Sequence, residues 1–255
     1  MILKPAKLTK TQKTQAVEKL FHESAPNYDF FLMLILSAII VTLGLLMNNI
    51  AIVIGGMLVA PILSPILSLS MGVVVGNQKL MKRSGLVILQ SMCLIVLISL
   101  IMSFLAIHKE ITPEIVARAY PSLSYFLIGL FSGGAVAFAM VRPSLSETLP
   151  GVAISVSLIP PLSALGIAIS FFEWNMAVGA LGLFLLNFIG IVFAALFVFA
   201  ILRFYEVKEA IDKNIRAEER VMLEEKREKD KEKIEEIEKT VKEATEFLKE
   251  KKNGK

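Results

Sequence analysis

The chain has 255 residues, of which 55% are hydrophobic, and a net charge of +4. Residues 203–255 hold 16 Lys/Arg and 16 Asp/Glu, leaving 11 basic and 7 acidic residues for the other 202. This composition excludes an ordinary soluble domain. The scattered surplus of basic residues, with no basic patch or stacking aromatics beside it, excludes nucleic acid as a partner.

Residues 1–29 form a polar lead with five lysines, Lys4, Lys7, Lys10, Lys13 and Lys19. No apolar run opens the chain, so a cleaved signal peptide is not expected. Val17, Leu20 and Phe21 share one face of a helix, which predicts a short amphipathic helix at the membrane surface or a solvated lead-in. Pro26 and Asn27 stop it, and Asp29 is placed to cap the next helix.

From Phe30 to Gln78 there are 49 residues without a charge, enough for two crossings around a turn at Met47-Asn48-Asn49. Further uncharged runs cover Ser84–Ile107, Ala119–Val141, Thr148–Phe172 and Trp174–Leu202. The expectation is an all-α membrane protein with six spans, near 30–47, 50–75, 84–107, 121–141, 149–172 and 175–202. Lys and Arg in the short loops set the orientation. With both termini in the cytoplasm of a cell-membrane protein, residues 1–29, Lys79, Lys82, Arg83 and Arg142 lie inside, against Lys109 and Arg118 outside. Re-entrant Pro-containing segments give a poorer split.

Pro61 and Pro65 interrupt the second span, and about one hundred residues on Pro160 and Pro161 interrupt the fifth. Aligning Pro61-Ile62-Leu63-Ser64 with Pro160-Pro161-Leu162-Ser163 gives each half three crossings. An odd number makes the halves inverted repeats, a transporter architecture with its site at the midplane where discontinuous helices meet. The expected organisation is a lead (1–29), repeat 1 (30–107), an external loop (108–120), repeat 2 (121–202) and a charged cytoplasmic helix (203–255). In that last helix Ile234, Ile237, Val241, Ala244 and Leu248 suit a short coiled coil; a solvated helix is the alternative.

A proline inside a helix removes a donor and blocks the carbonyl four residues back, which in hydrocarbon needs another partner. The small and hydroxylated residues at the breaks therefore mark the expected solute path: Ala60, Pro61, Ser64, Pro65 and Ser68 in the first half, Ser157, Pro160, Pro161 and Ser163 in the second. Arg142 and Glu147 bracket a cytoplasmic entrance, with Asn48 and Asn49 at the matching place in the first half. The other reading of the same residues is close helix packing, since Ser64, Ser68, Gly72 and Gly76 recur every fourth residue. Asn187, in the middle of the last span, is expected to bond across helices. Cys93 has no cysteine partner and reads as a small buried side chain. With no Cys/His cluster, HExxH, GxSxG or phosphate-cradling loop, neither metal, cofactor nor catalytic residues are expected, and the chain is not read as an enzyme.

The stretches IGGMLVAPILSPILSLSMGVVVGN with LMKRSG, and LPGVAISVSLIPPLSALGIAIS with GALGLFLLNFIGI, resemble the bacterial and archaeal family of hydrophobic proteins described as domain of unknown function 389. The resemblance covers Tyr28 to Phe199 and implies a multi-pass membrane protein. That family often has an acidic residue where this chain has Asn77. Taken together, the residues predict a transporter or channel-like protein for a small polar or ionic solute, or else a scaffold or sensor whose tail helix recruits a partner. The lipid bilayer is one partner; a homo-oligomer through small-residue helix faces or the tail is also expected.

Overall fold

The computed structural model describes residues 8–106, 110–142, 145 and 158–208. The chain divides into two units after Lys208, and the expected coiled-coil seam lies in the second, outside the described residues. The described part of the first unit is all-helical. Among the described residues four helices are long and apolar enough to cross a membrane, or five if a bent pair of shorter helices counts as one span.

Helix α1 (Lys10–Glu23) starts at a capping box: Gln12 N–H donates to Thr9 Oγ1 (3.2 Å) and Thr9 N–H to Gln12 Oε1 (2.9 Å). Its apolar face, Val17, Leu20 and Phe21, is fully buried. The helix packs on protein, against α4 and a 3-10 segment described below, so this face meets the bundle and not a bilayer.

Helix α2 (Tyr28–Leu46) is capped by Asn27, whose side chain accepts from Phe30 N–H at 2.9 Å. Asp29, expected as the cap, sits in the first turn, where its charge suits the helix dipole. Helix α3 (Ile50–Val59) returns against α2 at close range. A Cβ on Gly44 would meet Val53 N at 2.8 Å, and one on Gly56 would meet Val41 Cγ2 at 2.6 Å. Ser37 Oγ uses that closeness to donate to the Gly56 carbonyl at 2.7 Å.

The break comes where proline dictates it. Ala60, preceding Pro61, is extended (φ −81°, ψ 127°), because a proline ring disfavours a helical residue before it. The chain turns by 52° and resumes as α4 (Leu63–Val75). Pro65 breaks nothing: it lies in the first turn of α4, where the missing N–H would have had no partner anyway. Pro160 and Pro161 likewise fall in the first turn of α8 (Ile159–Ser170). Counted from the helix starts, Pro65 and Pro161 both hold the third position, an offset of 96 residues, where the sequence alignment of Pro61 with Pro160 has 99.

The two short helices also end alike. Helix α4 closes through Gly76 (φ +71°), with Asn77 N–H donating to the Gly72 carbonyl at 2.9 Å, and Asn77 then caps α5 (Gln78–Leu105). Helix α8 closes through Phe172 (φ +61°), with Glu173 N–H donating to the Ala168 carbonyl at 2.9 Å before α9 (Trp174–Ile201) begins. In both, the residue after the left-handed one donates to the carbonyl five residues back, closing the helix.

Between the halves, α6 (Pro113–Ala117) lies over the α2–α3 turn: Thr112 Oγ1 donates to the Leu45 carbonyl (2.6 Å) and Glu114 N–H to Asn48 Oδ1 (3.2 Å). Helix α7 (Leu123–Met140) runs parallel to α9 in the most extensive helix contact, with Gly129 against Asn187 and Gly133 against Ile191. A 3-10 segment, Phe204–Val207, follows α9.

The outward faces are apolar. Leu86, Leu89, Leu97 and Phe104 on α5, and Phe193 and Phe197 on α9, are all more than half exposed. So large an apolar surface suits lipid. Cys93, expected to be buried, is exposed. The buried stripe of α5 runs through Ser84, Ile88, Ser91, Ile95, Ser99 and Ser103, which turns Cys93 to the opposite side.

Candidate functional site

Helix α5 carries the polar centre of the bundle. Ser84, Ser91, Ser99 and Ser103 are all buried on its inner stripe. Near one end Ser68 Oγ, on α4, accepts from Ser24 Oγ (3.1 Å) and Ser84 Oγ (2.9 Å). Farther along, Thr42 Oγ1 bonds Ser99 Oγ at 2.8 Å, and Ser170 Oγ, on α8, bonds Ser103 Oγ at 2.6 Å. Hydroxyls from α2, α4 and α8 thus meet this one helix.

The direction of the short helices follows from these contacts. Helix α4 runs antiparallel to α5, with Ser68 beside Ser84 and Gly72 beside Met81. Helix α8 runs parallel to α5, with Gly166 beside Ser99 and Ser170 beside Ser103. Followed back to their starts, both approach the turn of α5 that holds Ser91. Helices α5 and α9 each pack against both short helices.

Of the residues expected along the solute path, Ala60 and Pro61 form the bend. Ser64 Oγ donates to Glu23 Oε2 at 3.1 Å, and Lys19 lies 3.8 Å from the same carboxylate. Pro65 and Ser68 are buried on α4, as are Pro160, Pro161 and Ser163 on α8. Ser163 Oγ and Ser91 Oγ are buried with no hydrogen-bond partner among the described residues. Ser157 and Glu147 lie outside the described residues.

The expected entrance residues are separated. Asn49 caps α3, accepting from Ala51 and Ile52 N–H, while Asn48 (φ +53°) accepts from Glu114. Arg142 follows α7, with its guanidinium 4.6 Å from the centre of the Phe138 ring. It lines a groove of about 200 Å³ with Gln12, Gln15, Ala16 and Lys19 of α1 and with Met140 and Val141. Asn187 is buried on α9, where Gly129 fits against its backbone.

Sequence reasoning missed Glu23, Ser24, Thr42 and the serines of α5. The serine spacing on α5 was visible as a helical stripe within an uncharged run. The contact of the lead helix with α4 had no such signal.

At the cytoplasm-facing root of the tail in the expected topology, Lys13 is 6% exposed and donates to the Arg203 carbonyl (3.0 Å) and Glu206 Oε2 (3.2 Å). The hydrogen bond from Lys13 holds the Glu206 carboxyl below its ordinary value, with the charges of Lys13 and Arg203 acting in the same sense.

No solved structure matches this chain. An uncharacterized protein of Methanocaldococcus jannaschii is 31% identical over 170 residues, which are 66% of this chain and 52% of that protein. The chain therefore spans about half the length of the curated relative it matches. A family model described as "Domain of unknown function (DUF389)" matches residues 57–193, more than half of the chain, from the last turn of α3 well into α9. The chain belongs to the DUF389 family.

Proposed function

We propose that this protein is a non-enzymatic membrane transporter or channel-like protein for a small polar or ionic solute. It crosses the cell membrane six times as two inverted three-helix repeats, with both termini in the cytoplasm. The solute binds at the midplane, where α4 and α8 begin. One observation carries this reading: the two short helices lie on α5 with opposite directions, so that their starts approach the same turn. Packing alone does not require two interrupted helices to begin at one level. The buried hydroxyls of Ser91 and Ser163 near that level support it, since membrane interiors keep polar groups only where a partner or function holds them.

Topology and flux test it together. In a background lacking Cys93, Lys79→Cys and Arg142→Cys should react with an impermeant thiol reagent only from the cytoplasmic side, and Arg118→Cys only from outside. External labelling of Lys79→Cys would remove the inverted arrangement. Proteoliposomes containing the full chain should pass a small solute, and truncation after Lys208 should leave that flux in place.

The second reading is a scaffold whose charged tail recruits a partner. The bonds of Lys13 to Arg203 and Glu206 favour it, because they tie α1 to the residues from which the tail departs. Under this reading neither the full chain nor the truncated one passes any solute.

A further inference from the structure

Resting on the conduit reading, we infer that the place where α4 and α8 begin is an anion site, selecting a small halide or oxyanion and rejecting cations. Helices α4 and α8 have 13 and 12 residues; α8 starts among buried residues, and α4 starts at a turn where Pro61, Leu63 and Ser64 are half-buried. Ile62, Leu158 and Ile159 are no more than 4% exposed. Neither start has a side-chain cap, as is also true of α7 and α9, while Thr9, Asn27, Asn49, Asn77 and Thr112 cap α1, α2, α3, α5 and α6. A helix start carries about half a positive charge, although Pro65 in α4 and Pro160 and Pro161 in α8 remove N–H donors from these first turns. Two such starts, approaching one turn of α5 from opposite directions, add their fields at one place, and low local dielectric strengthens both.

The hydroxyls supply the independent observation. Ser70 Oγ and Ser170 Oγ donate to the carbonyls of Ile66 and Ile167, the usual resting place of a serine in an apolar helix. Ser91 Oγ, on the turn that both starts approach, and Ser163 Oγ, within the first turns of α8, are fully buried and have no such bond among the described residues. A buried hydroxyl held away from its own backbone is a donor kept for something else. The chain also shows what the start of α4 accepts: Ser64, in its first turn, donates to the Glu23 carboxylate, which Lys19 partly balances. Donor hydroxyls and two positive helix ends form a set for an anion; a metal cation would need the carbonyl ends of helices or carboxylates instead.

The test uses chloride as the probe, with gluconate at equal ionic strength as the control. Thermal unfolding of the detergent-purified full chain should shift upward in chloride. Chloride uptake into proteoliposomes should exceed sodium uptake under a clamped potential. Ser91→Ala and Ser163→Ala should each weaken the chloride dependence of both readouts about tenfold, the scale of one hydrogen bond to an ion. Ser163→Thr, which keeps the hydroxyl, should restore most of it, and Ser70→Ala should change neither readout. Sodium uptake in place of chloride would overturn the anion site and leave the conduit standing. A chloride shift in unfolding that Ser163→Ala abolishes, without uptake of any solute, would support the anion site while removing the conduit. No chloride effect on unfolding or uptake would overturn the anion site outright.

Discussion

Lys13 in the first helix bonds the backbone carbonyl of Arg203, 190 residues later, at 3.0 Å. A lysine that is 6% exposed needs its ammonium satisfied, and the Arg203 carbonyl and Glu206 do this together. Phe204 packs beneath them, its ring centre 6.0 Å from the Lys13 Nζ. The lead helix and the end of α9 are thereby joined through polar and aromatic contacts that the amphipathic pattern alone did not announce.

Replacing Lys13 should loosen that junction. Lys13→Ala is expected to cost roughly 1.5–3 kcal/mol, the range for losing hydrogen bonds that involve a charged group, read as a lower unfolding midpoint in detergent. Glu206→Gln should cost less, because the Arg203 carbonyl still receives Lys13. The pH dependence has a definite sign. A carboxyl held below its ordinary value of 4.5 stabilises the fold fully above that pH. The stabilisation is lost as pH falls through the lowered folded-state value. Proteolysis within α1 should therefore be insensitive to pH between about 5 and 8 and accelerate only in more acidic buffer.

The left-handed residues that end the short helices give a paired test. Gly76→Ala should destabilise by about 1 kcal/mol, the order of the penalty for an L side chain at positive φ. Phe172 already bears such a penalty and is 74% exposed, so Phe172→Gly should raise the unfolding midpoint in detergent. Equal effects of one sign from both substitutions would contradict the shared closure of α4 and α8.

The α7–α9 contact depends on a missing side chain. A Cβ on Gly133 would lie 2.6 Å from Ile191 Cα, while one on Gly55 or Gly85 would meet nothing within 4 Å. Gly133→Ala should then cost about 1–3 kcal/mol by overpacking. Gly55→Ala and Gly85→Ala should be neutral or stabilise by up to about 1 kcal/mol, the helix propensity difference. Unfolding midpoints of the three variants decide it.

How far the fold was legible depended on what each signal measures. Absence of charge located apolar spans well: the expected 50–75 and 175–202 match α3 with α4, and α9, almost to the residue. It placed the start of the third span at Ser84, whereas α5 begins at Gln78. Lys79, Lys82 and Arg83 are excluded from hydrocarbon but not from a helix, so composition found the apolar part and missed two turns. Amphipathicity identified the buried face of α1 but could not name its partner, because Leu20 and Phe21 suit lipid and protein alike. Proline was the ambiguous signal. Pro61 bends the chain while Pro65, Pro160 and Pro161 open helices, and nothing local to the ring distinguishes the two roles. The Asn77 side chain caps α5 by accepting from Leu80 N–H at 2.8 Å, a task aspartate would perform equally well.

Helix α4 leans on α9 as well as on its neighbour α5, and this has a consequence for biosynthesis. At roughly 5–20 residues per second, the ribosome needs on the order of 5–20 s to supply the hundred-odd residues between them. Throughout that interval the uncapped start of α4 must wait without its final neighbour, shielded by the insertion machinery or held near the headgroups. Packing of α4 is thus completed only once Trp174–Ile201 has been made, and a nascent chain stalled before Trp174 should leave the α9-facing side of α4 open to labelling that the finished protein resists.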